Sequence, residues 1–290
     1  MTIRQEMLKA AKRSANLLGE SASLAVGFVT DRLTETGGFR GRSNSPDLYY
    51  TLFAVESLIA LGAALPTDKL ASWLKSFGDG ADLDLVHLAC LARCRAAIGQ
   101  TGGEDALLER IETCRSADGG YSETPAQPAG SAYGCFLTLG ARQDLRASPG
   151  EPDAMIASLL SLQRPDGGFG NSAEIPAASA PATAAAITAL RHLGHTDNQP
   201  AVRWLLSQIG PDGGIGAWPG APTADLLSTA VGLHALRHCG TNLDDVRQQC
   251  LDYLDSLWSS QGGFRGHPGD STLDCEYTFY GLLALGNLAD

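Results

Sequence analysis

Leu160-Ser161-Leu162-Gln163-Arg164-Pro165-Asp166-Gly167-Gly168-Phe169-Gly170 is the stretch that decides the fold of this chain. An apolar run ends in a glycine pair, with a turn-forming Asp before it and an aromatic residue after it. The same phrase recurs at Gly37-Gly38-Phe39, Gly119-Gly120-Tyr121, Gly213-Gly214-Ile215 and Gly262-Gly263-Phe264. From Gly120 onward the steps are 48, 46 and 49 residues. The first step, Gly38 to Gly120, is 82 residues and holds two shorter units, with a degenerate marker at Phe77-Gly78-Asp79-Gly80 between them. A repeat of this length means one supersecondary unit used about six times, each burying its apolar face against its neighbours.

Each glycine pair stands between two apolar segments. Met155 to Leu162, Ala201 to Leu206 and Leu251 to Trp258 precede it; Tyr49 to Leu61, Ala182 to Leu193, Leu226 to Leu236 and Tyr277 to Leu285 follow it. These segments are rich in Ala and Leu, outrun ordinary strands and show no alternating polarity, so they are expected to be helices. The glycine pair suits a reversal that needs positive φ, and Asp118, Asp166 and Asp212 are read as turn residues. The second helix of each unit is nearly free of charge at its middle, as an inner wall would be; the first carries Lys69, Lys75, Arg203 and Asp252, as an outer wall would. The expected fold is all-α: a closed α/α toroid of about six helical hairpins over residues 34–290, with an open solenoid as the competing arrangement. Residues 1–33 are expected to form an N-terminal helix that packs on or caps the ring.

The chain has 290 residues, 44% of them hydrophobic, which is enough for a large core. Its net charge of −11 and its lack of a basic cluster argue against nucleic acid or an anionic membrane as partner. Arg4, Glu6, Lys9, Lys12 and Arg13 exclude a signal peptide or membrane span in the first segment. Seven cysteines without paired spacing suit a thiol-state, cytoplasmic protein.

A second periodicity appears when the inner helices are registered on the glycine that closes each. Thr51, Thr183 and Thr229 lie 11 residues before Gly62, Gly194 and Gly240, and Thr278 lies eight before Gly286. Four residues ahead of these threonines stand Asp47, Ser179, Asp225 and Asp274; Asp84 and Pro128 hold the place in repeats two and three. Aspartates at these positions can serve as helix caps. In a closed ring they would also gather at one rim, where mutual repulsion raises pKa values as functional sites do. Asp47, Asp84, Asp225 and Asp274 are therefore candidate catalytic acids.

Pro46 to Val55 and the Leu160–Gly170 stretch resemble the prenyltransferase β-subunit and terpene-cyclase superfamily of α/α toroids, with Rab geranylgeranyltransferase β subunits most similar in look. The resemblance implies an isoprenoid-handling protein with an apolar funnel, acting as a transferase or cyclase on a polyprenyl chain. Relatives of that kind bind zinc through D-x-C and D-x-x-H-T motifs. The matching stretches here are Asp225-Leu226-Leu227 and Asp274-Cys275-Glu276-Tyr277-Thr278, so Leu227 and Tyr277 replace two of the three ligands and no zinc cofactor is expected. The basic residues that would hold a diphosphate are also missing, Pro219 and Pro222 standing nearby, with Arg40, Arg42 and Arg265 the nearest substitutes. The cyclase acid of D-x-D-D-T-A is likewise replaced by Leu227, which leaves another carboxyl, such as Glu276, to protonate an alkene. Tyr50, Tyr133, Phe136, Leu227 and Tyr277 are the expected cavity residues.

His87-Cys90-Cys94 and the pairs His234/His238 and His192/His195 are read as helix packing and C-terminal dipole partners. The expected partners are an isoprenoid or other apolar small molecule and a protein on the rim. A non-catalytic toroid that binds lipid or protein is the alternative function. Carbohydrate cleavage, which helical toroids also perform, is disfavoured because only four Trp are present for stacking.

Overall fold

A computed structural model describes residues 1–289. Three helices, α1 (Ile3–Lys12), α2 (Ala15–Leu18) and α3 (Ser21–Thr30), occupy the segment expected to hold one. They are followed by α4 (Leu48–Ala60), α5 (Thr67–Lys75), α6 (Leu85–Ala97), α7 (Glu104–Glu112), α8 (Ala132–Asp144), α9 (Pro152–Ser161) and α10 (Ala180–His192). The last four are α11 (Gln199–Ser207), α12 (Leu226–His238), α13 (Asp244–Leu257) and α14 (Cys275–Leu288). A short antiparallel pair, β1 (Ile215–Gly216) and β2 (Ala224–Asp225), precedes α12. Among the described residues no helix is long and apolar enough to cross a membrane.

The even-numbered helices from α4 to α14 form the inner wall. Each packs on the next, and α14 returns to α4, so the ring is closed and the solenoid alternative falls. The outer wall is α3, α5, α7, α9, α11 and α13. Thus α3 is the outer partner of α4, within the segment read as a separate N-terminal helix.

Glycine pairs stitch neighbouring units together. Gly213 has φ +87°, and a Cβ there would overlap the Gln249 carbonyl on α13; a Cβ on Gly214 would meet the Tyr253 ring. Gly262 and Gly263 make the equivalent contacts with Leu24 and Phe28 on α3, joining the last turn to the first outer helix. Asp118, Asp166 and Asp212 accept the amide of the second glycine at 3.1, 3.1 and 3.2 Å, which makes them structural as expected. The residue after each pair, Phe39, Tyr121, Phe169, Ile215 or Phe264, is buried between the walls, worth about 1.5–3 kcal/mol apiece.

The threonine period explains how those residues are held. Oγ1 of Thr51, Thr183 and Thr229 accepts the amide of Phe39, Phe169 and Ile215 at 2.8, 2.9 and 2.9 Å, and donates to the carbonyl four residues back. In repeat three Cys135 takes the position, with its sulfur 3.4 Å from the Tyr121 amide. The capping residue there is Ser131, which corrects the sequence register that put Pro128 at this place. Pro128 has no side-chain acceptor for a helix amide, whereas Ser131 Oγ accepts from Gly134 at 2.8 Å.

The plug is α1. It packs on α4, α8 and α14 at the C-terminal end of the inner wall, with Ile3, Met7, Leu8, Ala10 and Ala11 buried. Thr2 and Gln5 form a reciprocal capping box that starts it. Charge keys it in place: Arg4 lies 3.6 Å from Glu56 and 3.3 Å from Asp144, and Glu6 contacts Arg191.

Candidate functional site

The six inner helices start at one rim, and each start is capped by Asp47, Asp84, Ser131, Ser179, Asp225 or Asp274 accepting the amide three residues on. All four candidate aspartates are therefore used as caps. Asp84 is exposed and also meets His87 Nδ1 at 2.7 Å; burial raises its pKa, but the His87 contacts outweigh that and hold it below the usual range. Asp225 accepts from the Ser228 amide and hydroxyl, both at 2.8 Å, yet burial keeps its pKa raised. Asp274 is fully buried and takes Arg42 Nε at 3.0 Å.

Below the rim the lumen holds a cavity of about 390 Å³. Its wall is aromatic: Tyr49 and Phe53 from α4, Tyr133 and Phe136 from α8, and Tyr280 from α14, with Leu227 of α12 opposite. Met7 of the plug and His234 of α12 close its lower end. Of the five expected cavity residues, Tyr133, Phe136 and Leu227 line it and two do not. Tyr50 packs against Gly41 and Tyr277 against Gly266, and the Arg42 guanidinium lies 5.7 Å over the Tyr277 ring. Both belong to the rim layer. One residue along a helix turns a side chain by about 100°, so Tyr49 faces the axis where Tyr50 cannot; Tyr280 shares a face with Tyr277 but lies about one turn further down, below the rim layer.

None of the five candidate acids lines the cavity. Glu276 comes nearest in connection: the Tyr49 hydroxyl, on the cavity wall, donates to its Oε1 at 2.7 Å. Burial pushes the Glu276 carboxyl up, the Tyr49 hydrogen bond opposes this, and the neighbouring Asp274 charge adds to the rise. The Tyr49 hydroxyl is itself made much less acidic by burial.

Among the residues lining the cavity one arginine is present, and the sequence reading passed over it. Arg93 interrupts the apolar α6; its Nε lies 3.9 Å from Asp144, and Glu56 and Asp144 both favour its charged form against burial. Its charge is thus already matched. Arg93 near the middle of α6 and a lone Glu in α4 are the signals in the sequence, but only folding shows that Arg93, Glu56, Asp144 and Arg4 share one network. Arg42, a candidate for a relocated anion clamp, is likewise taken by Asp274.

Zinc does not fit the position that the resemblance implies. Leu227 offers an apolar wall where a thiolate would be needed, and Tyr277 packs over Arg42 where an imidazole would be needed. Cys90 does face the cavity, but burial pushes its thiol up to about 12, as suits a packing residue.

A family model described as the prenyltransferase alpha-alpha toroid domain matches residues 6–141, 131–200 and 186–289. No curated protein matches the chain. Among solved structures, a type II terpene cyclase from Scytonema in complex with its substrate geranylgeranyl dihydroxybenzoate aligns with TM-score 0.61 and 14% identity, over 95% of this chain and 97% of that one. Protein geranylgeranyltransferase-I of Candida albicans, complexed with GGPP, aligns with TM-score 0.58 and 13% identity, over 97% and 82%. An alpha-1,6-mannanase from Salegentibacter aligns with TM-score 0.64 and 14% identity, over 93% and 98%. Identities this low establish a shared fold, and the three activities show that the fold carries several chemistries.

Proposed function

The chain belongs to the prenyltransferase alpha-alpha toroid family, and we propose that it handles an isoprenoid, acting on the hydrocarbon part of a polyprenyl chain held in the lumen. The observation that carries this reading is the cavity of about 390 Å³ walled by Tyr49, Phe53, Tyr133, Phe136 and Tyr280. Such a wall matches an apolar chain in shape and polarity, and its rings can stabilise a passing carbocation. The matched charge of Arg93 and Arg42 favours a substrate that does not need a diphosphate clamp. A carbohydrate would find few polar partners on this wall.

The reaction most consistent with the site is proton-initiated cyclisation. Glu276 is its proton source: burial raises its pKa, and since it stands behind the cavity wall its proton passes by way of Tyr49, whose hydroxyl on that wall is hydrogen-bonded to Oε1. Asp274 is the buried rim carboxylate whose negative charge raises the Glu276 pKa, and Asp225 is a half-buried carboxylate at the same rim. A transferase reaction is the less favoured variant, since the residues that would hold zinc and diphosphate are replaced. Matched arginines and missing zinc donors also suit the second reading, a toroid that binds lipid without turnover.

Native mass spectrometry and product analysis test these readings, using farnesyl and geranylgeranyl diphosphates beside a diphosphate-free geranylgeranyl aromatic acid. The expected result is one equivalent of the diphosphate-free ligand and a rearranged product that is lost in Glu276→Gln. Binding without product would favour the non-catalytic toroid. Preference for the diphosphates would overturn the head-group assignment, and failure to bind any isoprenoid would overturn the whole reading.

A further inference from the structure

At the closed end of the lumen, away from the rim carboxylates, several donor side chains converge on one acid that the proposed reaction does not use. Glu6 of α1 is 2% exposed. Its Oε1 faces His234 Nε2 at 3.3 Å, and its Oε2 faces His192 Nε2 at 3.4 Å and His238 Nδ1 at 3.5 Å. These separations exceed the roughly 2.7–2.9 Å of a charge-assisted hydrogen bond. Nε2 of His192 and of His234 are both buried without a hydrogen-bond partner. Atoms that share a metal at bonds of about 2.0–2.1 Å lie about 3.3–3.4 Å apart, so these separations leave room for an ion between the imidazoles and the carboxylate, which meets them through both of its oxygens. One ligand atom each from Glu6, His234 and His238 lie within 4.8 Å of one another.

We propose that Glu6, His234 and His238 bind a late first-row divalent metal, zinc foremost, with His192 beside them, and that this metal fastens the plug helix to the inner wall. His234 and His238 are one turn apart on α12, so both rings address the same point, and their ring centroids lie 4.4 Å apart. The outer partners are also present. The Asn287 carboxamide nitrogen donates to the Leu283 carbonyl at 2.8 Å and lies 3.4 Å from His234 Nδ1, which sets the height of that ring.

Charge selects the metal. Arg191 contacts Glu6, and Arg13 adds positive charge near His238. Such a setting opposes hard cations held by carboxylates alone, such as Mg²⁺ and Ca²⁺. It leaves metals whose bonds to imidazole carry the affinity. The position is separate from that of the zinc implied by the family resemblance, which would lie at Asp225, Leu227 and Tyr277 near the opposite ends of α12 and α14.

The test uses the full chain, stripped with a chelator and titrated with Zn²⁺ against a chromophoric competitor, with Co²⁺ as a spectroscopic probe. One equivalent of zinc, visible d–d bands with Co²⁺, and a Tm rise of about 5 °C at a hundredfold excess over Kd are expected. Glu6→Gln and His238→Ala should each weaken zinc binding at least tenfold while the circular dichroism of the fold is kept. If His238→Ala does not fold, Glu6→Gln, which preserves side-chain volume, decides alone. A folded wild-type chain that retains no zinc, or a folded Glu6→Gln chain that binds zinc as tightly as wild type, overturns the proposal.

Discussion

Thr183→Val tests the bond that ties a turn to the inner wall. Valine keeps the shape of threonine and removes one hydroxyl, which serves two partners. The Ser179 carbonyl loses little, because it still receives the Thr183 amide at 2.9 Å. The Phe169 amide loses its acceptor at 2.9 Å, and both residues are buried, so water cannot replace it. An unpaired buried amide costs about 1–3 kcal/mol, and about 2 is expected here. Thr183→Ser keeps the hydroxyl and gives up one buried methyl, about 1 kcal/mol. With a urea dependence of about 3 kcal/mol per molar, the Val midpoint should fall by about 0.7 M and the Ser midpoint by about 0.3 M. Amide exchange at Phe169 should speed up in the Val variant alone. Wild-type stability in Thr183→Val, or a larger loss in Thr183→Ser, would refute the argument. Thr51 and Thr229, which hold Phe39 and Ile215, should show the same order.

Two glycines with the same φ, +90°, separate backbone strain from crowding: nothing lies within 4 Å of a Cβ on Gly194, whereas one on Gly262 would overlap the Leu24 backbone. Gly194→Ala should cost about 1–2 kcal/mol and Gly262→Ala at least 3, measured by thermal unfolding. Glu276 gives stability a pH dependence. Its folded pKa lies above the ordinary 4.5, so the folded state holds a proton that the unfolded chain has released. Stability therefore falls as pH rises from 4.5 through the raised value, Asp225 adds a fall of the same sign, and Glu276→Gln should flatten the urea-midpoint profile across that window. Turnover should decline over the same rise. Deleting residues 1–12 should lower stability and increase binding of an apolar fluorescent dye, because Glu56 and Asp144 lose Arg4 and the lumen loses its floor.

The repeat was legible because its marker is a steric necessity. Gly213 and Gly262 stand where a backbone needs positive φ and a neighbouring helix leaves no room, so the period survives in the sequence. Threonines and capping aspartates were legible for the same reason, since each satisfies backbone groups that every repeat must satisfy. The lumen was less so. A register on closing glycines carries no azimuth, so it cannot tell Tyr49 from Tyr50, and the resemblance pointed to Tyr277, which lies one turn above Tyr280, in the rim layer. Arg93, Glu56, Asp144 and Arg4 come from four helices, as do Glu6, His192, His234 and Asn287, and no local pattern announces such meetings. His234 and His238 do carry a local signal, a one-turn spacing, but without Glu6 across from them it reads as packing.

Closure of the ring through α14 on α4, and through Gly262 on α3, sets the order in which the molecule can be made. An open array gains stability hairpin by hairpin as synthesis proceeds. Here the flank of α4 that α14 covers must wait for the last hairpin, more than 200 residues later by the helix bounds. For most of translation the nascent chain presents an apolar edge with no lasting partner, an opening for chaperones and for pairing between neighbouring chains on one messenger. Damage to the final turn would thus be felt first as lost yield of folded protein, before any change in what the finished ring does.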